Sequence, residues 1–73
     1  VISFKLKQPG HVTLKVYDMF GKEVATLINN EYRNFGKYIE RFDADHFNLS
    51  SGVYYFVLSG DELNLKRKMM LVR

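Results

Sequence analysis

His11-Val12-Thr13-Leu14-Lys15-Val16-Tyr17-Asp18-Met19-Phe20-Gly21-Lys22-Glu23-Val24-Ala25-Thr26-Leu27 reads as two β-strands folded back on each other through a short turn. Val12, Leu14 and Val16 share one face, and His11, Thr13, Lys15 and Tyr17 share the other, which is the period of a half-buried strand. Asp18 to Gly21 supplies the reversal: an Asp carboxylate can accept from a backbone amide on its C-terminal side, and Gly takes the left-handed conformation that closes such turns. Residues 22–28 return as the next strand. Val24 and Leu27 are three apart, so a β-bulge near Ala25-Thr26 is expected to bring both inward. A helix over residues 23–30 competes with this reading and is disfavoured by the β-branched Val24, Thr26 and Ile28.

On the N-terminal side, Ile2-Ser3-Phe4-Lys5-Leu6-Lys7 alternates without a fault, with Ile2, Phe4 and Leu6 inward, and Gln8-Pro9-Gly10 breaks the strand. On the C-terminal side, residues 29–36 are polar and Asn-rich around Tyr32 and Phe35, and read as a loop. Residues 37–43 form a fourth strand: the face holding Tyr38 and Phe42 also carries Glu40, so either a bulge shifts the register or Glu40 lies at a wet margin. The polar stretch 44–52 is a connection pinned by Phe47 and Leu49. Val53-Tyr54-Tyr55-Phe56-Val57-Leu58 is apolar at every position, as expected of a strand covered on both faces. A last strand spans residues 63–73. Six such strands with turn residues between them imply an antiparallel β-sandwich of two small sheets, with a closed barrel as the alternative.

The chain of 73 residues has room for one domain with a thin core, and it contains no cysteine, so six Phe and five Tyr must supply the bulk of that core. The formal charge of +3 is spread along the chain except at Lys66-Arg67-Lys68 and Arg73, whereas a nucleic-acid binder concentrates its cations in one patch, so no nucleic-acid partner is expected. No apolar run approaches the ~20 residues of a membrane helix, so no membrane span is expected. The alternation begins at Val1-Ile2 with no charged-then-apolar leader, so a signal peptide, if the parent has one, is expected to lie upstream.

Several residues then fall into one order. Ile2-x-Phe4-x-Leu6, Gly10-x-Val12-x-Leu14-x-Val16-Tyr17-Asp18-x-x-Gly21-Lys22-x-Val24-Ala25-x-Leu27, Gly36, Phe42-Asp43-Ala44, Leu49-x-Ser51-Gly52-Val53-Tyr54-Tyr55 and Lys68-Met69-x-Leu71-x-Arg73 together resemble the C-terminal sorting domain of the type IX secretion system. The strand grammar is also similar to the immunoglobulin-like domain of flagellar hook-capping proteins. The resemblance implies an all-β fold, a small antiparallel immunoglobulin-like β-sandwich of about six to seven strands. It implies that residues 1–73 are a single non-catalytic domain of a larger exported protein. The Asn-Pro segment that often precedes the first strand is absent, which points to a trimmed N-terminal edge. The implied partners are the outer-membrane secretion machinery, a sortase-like protease and the upstream domain of the parent. The implied location is the cell surface or the medium, after transit through the periplasm of a Gram-negative bacterium.

Asp43-Ala44-Asp45-His46 is the one local cluster of metal-ligating residue types, and its spacing matches no calcium loop; its plain reading is turn and cap residues. His11 and His46 lack zinc spacing, and Ser50-Ser51-Gly52 is no nucleophile elbow, so neither cofactor nor catalysis is expected. The two-faced strands are more informative. With Tyr54, Phe56 and Leu58 inward, Tyr55 and Val57 lie on the outer face as a candidate docking surface. Lys68, Met69, Met70, Leu71, Val72 and Arg73 form the candidate segment for recognition by secretion machinery, with Met69 and Leu71 inward and Met70 and Val72 outward. Cations on a terminal edge strand also discourage sheet-to-sheet aggregation, which is their simpler role. The alternative function is a passive immunoglobulin-like accessory module, or a carbohydrate-binding module using Tyr17, Tyr32 and Tyr55.

Overall fold

The computed structural model describes residues 2–42, 49–61 and 64–72. Among these residues six strands follow in chain order: β1 (Ile2–Leu6), β2 (Gly10–Asp18), β3 (Glu23–Arg33), β4 (Gly36–Glu40), β5 (Gly52–Gly60) and β6 (Asn64–Leu71). Strands β1 and β4 pair as a two-stranded sheet, and the rest form a four-stranded sheet of order β3-β2-β5-β6, antiparallel throughout. Among the described residues the two sheets share no ladder, so the architecture is a small all-β sandwich and not a closed barrel.

The strict alternation of β1 and β2 sets the core. Ile2, Phe4 and Leu6 of the small sheet are buried against Val12, Leu14, Ile28 and Leu58 of the large one. A second cluster holds Val16, Ala25 and Tyr54, and Leu49, Met69 and Leu71 pack against it. Each fully buried aliphatic side chain contributes about 1.5–3 kcal/mol. Asp18 fixes the β2–β3 turn. Its carboxylate oxygen accepts from the N–H groups of Phe20 and Lys22, both at 2.9 Å, while its carbonyl accepts from Gly21 at 3.1 Å. Gly21 closes the turn at φ 85°, a conformation that costs any other residue about 1–2 kcal/mol.

Strand β3 departs from the expectation in length. It runs on to Arg33, through residues 29–33 that read as loop. Their polarity reflects an edge strand that outruns the core, since among the described residues β3 has β2 as its sole sheet neighbour. The helix reading of 23–30 is likewise excluded. Successive pairs Val12↔Glu31, Leu14↔Ile28, Lys15↔Thr26, Val16↔Ala25 and Tyr17↔Glu23 contain three register slips. The extra residues include Val24 and Leu27, which are half-buried, while Ala25 and Ile28 take the buried positions. The bulges therefore flank Ala25-Thr26. The third slip lies at Asn29-Asn30, where Asn30 adopts φ 49° and its N–H donates to the Thr13 hydroxyl at 3.1 Å.

Strand β4 pairs with β1 without a bulge, Phe4 opposite Tyr38 and Ile2 opposite Glu40, so Glu40 shares the inner face and Ile39 is 69% exposed. Glu40 is tolerated there because Arg33 Nη2 lies 3.2 Å from its carboxylate and 3.2 Å from that of Glu31. Burial works against the Arg33 charge, but the two carboxylates outweigh it and raise the pKa. The guanidinium also sits 5.1 Å over the Tyr38 ring, which in turn stacks on Phe4. This cluster ties the end of β3 to the small sheet.

The entries to β4 and β5 use one device. In Asn34-Phe35-Gly36-Lys37-Tyr38 the Tyr38 hydroxyl donates to the Asn34 carbonyl at 2.7 Å. In Ser50-Ser51-Gly52-Val53-Tyr54 the Tyr54 hydroxyl donates to the Ser50 carbonyl at 2.8 Å. Each tyrosine satisfies its polar tip while its ring packs inward, as in the tyrosine corner of immunoglobulin sandwiches.

Candidate functional site

The outer face of the four-stranded sheet brings Tyr55, Val57, Lys68 and Met70, half of the candidate residues, together. Strands β2, β5 and β6 lie side by side in unbroken register, which produces two rows: Tyr17, Tyr55, Lys68 and, one step along, Lys15, Val57, Lys66. Val53 stands opposite Met70 at the end of the same face. Tyr55 and Val57 are half-buried here, and the Lys66 ammonium lies 5.1 Å from the Tyr55 ring centroid, a cation–π contact that leaves the cation accessible.

Parity along β6 divides the terminal segment. Lys68 and Met70 point outward, Met70 at 71% exposure, while Met69 and Leu71 pack into the second core cluster. Val72 is 80% exposed just past the strand. Arg73 lies outside the described residues, as do the Asp43-Ala44-Asp45-His46 cluster, Phe47 and Leu63. The segment thus contains two inward anchors and a set of outward side chains.

At the turn end of this face a shallow concavity of about 450 Å³ is lined by Tyr17, Asp18, Met19, Tyr55, Val57 and Lys66. In the sequence Met19 and Phe20 read only as turn residues. They are 62% and 87% exposed on a turn held by the hydrogen bonds of Asp18, so a rigid apolar tip stands beside the concavity. The signal available in sequence was the choice of Met and Phe where a turn usually takes polar residues.

The charge on this face is cationic towards β6. Lys15 is engaged by Glu23 at 2.9 Å; that hydrogen bond, with the attraction of the pair, raises the Lys15 pKa and lowers that of Glu23. Among the described residues no ion pair involves Lys66, Arg67 or Lys68. The three tyrosines of the glycan-binding alternative do not converge: Tyr17 and Tyr55 are cross-strand neighbours, whereas Tyr32 pairs with His11 in the β2–β3 ladder, its ring edge-on at 5.6 Å. Among the described residues no three His, Cys, Asp or Glu side chains are grouped to hold a metal, and no helix is long and apolar enough to cross a membrane.

Two small antiparallel sheets with an exposed apolar and cationic outer face define a small all-β sandwich domain. Residues 1–72 match the secretion system C-terminal sorting domain family, and the chain belongs to that family. It is a sorting signal of type IX secretion, a route by which Gram-negative bacteria export proteins to the cell surface or the medium, and domains of this kind are non-catalytic and engage the secretion machinery. No curated protein and no solved structure matches the chain.

Proposed function

We propose that the chain is one domain of a larger exported protein and is read by outer-membrane secretion machinery through the outward side chains of its last two strands. Tyr55 and Val57 supply the apolar floor, and Lys68, Met70, Val72 and Arg73 supply the specific contacts. Met69 and Leu71 hold the strand in place from the other side. A sortase-like protease and the parent's upstream domain are further partners in this reading, and the domain itself carries out no chemistry. The observation that carries it is the placement of Tyr55, Val57, Lys66, Lys68 and Met70 on one face of adjacent strands. That face is more apolar than a sheet surface facing only water requires.

The test is a periplasmic reporter fused to the chain in a host with type IX secretion. The intact fusion reaches the surface or the medium, and deletion of residues 68–73 leaves it inside the cell. Export of the truncated fusion at the level of the intact one overturns the reading.

A further inference from the structure

We propose that β6 accepts an added strand: an extended acidic segment of a partner protein pairs antiparallel along its outer edge and continues the four-stranded sheet. The proposal rests on the reading of β6 as a recognition element and specifies how that recognition works. The edges of the two sheets differ. Strands β1 and β4 are five residues long. The β3 edge is broken by three register slips and the left-handed Asn30. Strand β6, in contrast, keeps eight consecutive pairs with β5, from Gly52↔Leu71 to Ser59↔Asn64, with no slip. Short and bulged edges resist pairing, whereas a long regular edge offers a row of unpaired backbone groups. Among the described residues no strand pairs with the far side of β6.

Charge then selects the occupant. Lys66, Arg67 and Lys68 are consecutive, β6 contains no acidic residue, and none of the three joins an ion pair among the described residues. A second copy paired antiparallel through β6 sets cations against cations, which is destabilising, while an acidic strand gains at the same positions. The outward row Lys66, Lys68, Met70 and the intervening Arg67 and Met69 also define a pattern. Read antiparallel, the partner presents an apolar residue beside Met70, and acids beside Lys68, Arg67 and Lys66. Backbone pairing supplies affinity and these side chains supply specificity, as in other strand-addition complexes.

The probe is a capped eight-residue peptide of Thr and Val carrying three consecutive Glu, titrated into the isotopically labelled 73-residue chain. Two controls accompany it: the same peptide with Lys in place of Glu, and one with the same three Glu but two Pro that prevent strand pairing. The glutamate peptide slows exchange of the β6 amides that point away from β5. Lys66→Glu with Lys68→Glu, both exposed in the native fold, weakens it about thirtyfold by turning two attractive cross-strand pairs repulsive, and the lysine peptide then binds instead. Lys66→Gln with Lys68→Gln gives an intermediate loss. Equal binding of the proline control, protection spread away from β6, or self-association of the chain through β6 each overturns the proposal. Failure of the intact reporter fusion to be exported overturns the sorting role alone. An exported fusion whose domain pairs with no acidic strand overturns strand addition alone.

Discussion

Leu14 is the position where the fold is most sharply testable. It is fully buried in the central strand β2, opposite Ile28 on one side and Leu58 on the other, which are themselves 1% and 2% exposed. Leu14→Ala removes three carbons from a site whose walls come from both sheets, so little can collapse into the space. The loss is therefore expected towards the upper part of the ~2–5 kcal/mol range for such truncations. At about 0.05–0.15 kcal/mol per residue, a 73-residue domain has roughly 4–11 kcal/mol of total stability. The variant is then marginal or unfolded at 37 °C. Urea denaturation followed by circular dichroism measures the loss, with Leu14→Met as the volume-conserving control at under about 1.5 kcal/mol. Because the proposed recognition face requires β5 and β6 to be paired, the same substitution is expected to stop export of a reporter fusion although residues 68–73 are untouched. A loss below about 1 kcal/mol refutes the packing described for Leu14. Full export of a fusion shown to be unfolded refutes a folded signal and favours a linear one.

Two further outcomes follow from local geometry. Asp18→Ala leaves the Phe20 and Lys22 amides without their acceptor and costs about 1 kcal/mol in urea denaturation, with hydrogen exchange rising first at the β2–β3 turn. Glu23, held below the ordinary glutamate range by its bond to Lys15, stabilises the fold at neutral pH and loses that contribution as pH falls through its lowered value. Lys15 does the reverse, losing its contribution as pH rises through its raised value. Lys15→Ala moves the Glu23 carboxyl titration, followed by nuclear magnetic resonance, upwards; an unchanged midpoint contradicts the pairing.

Much of the architecture is written in alternation. Residues 2–6 and 12–16 place every inward side chain correctly because both strands have one buried and one wet face. Strand β3 resists this reading because its three bulges break the period, and because Asn29 to Arg33 are polar for an edge strand that leaves the core behind. Glu40 could not be placed for a different reason. Its partner Arg33 lies seven residues away across a corner, so nothing local signals that an inward carboxylate will be neutralised. The outward face of β5 and β6 was legible where apolar residues occupied both faces, at Tyr55, Val57 and Met70. The exposed Met19-Phe20 tip was hidden by its turn context, and the tyrosine devices at Tyr38 and Tyr54 were marked in advance only by a shared Gly-x-Tyr spacing.

The most direct measurement of the central claim leaves the core intact and alters only the outer face. A reporter fusion carrying Tyr55→Ser, Val57→Thr, Lys68→Ser and Met70→Ser keeps Tyr54, Leu58, Met69 and Leu71 as inward anchors, and its fold is verified by circular dichroism. The fraction of reporter at the surface or in the medium is then compared with the intact fusion. Retention of the folded variant inside the cell is the predicted result. Export equal to the intact fusion contradicts recognition through this face.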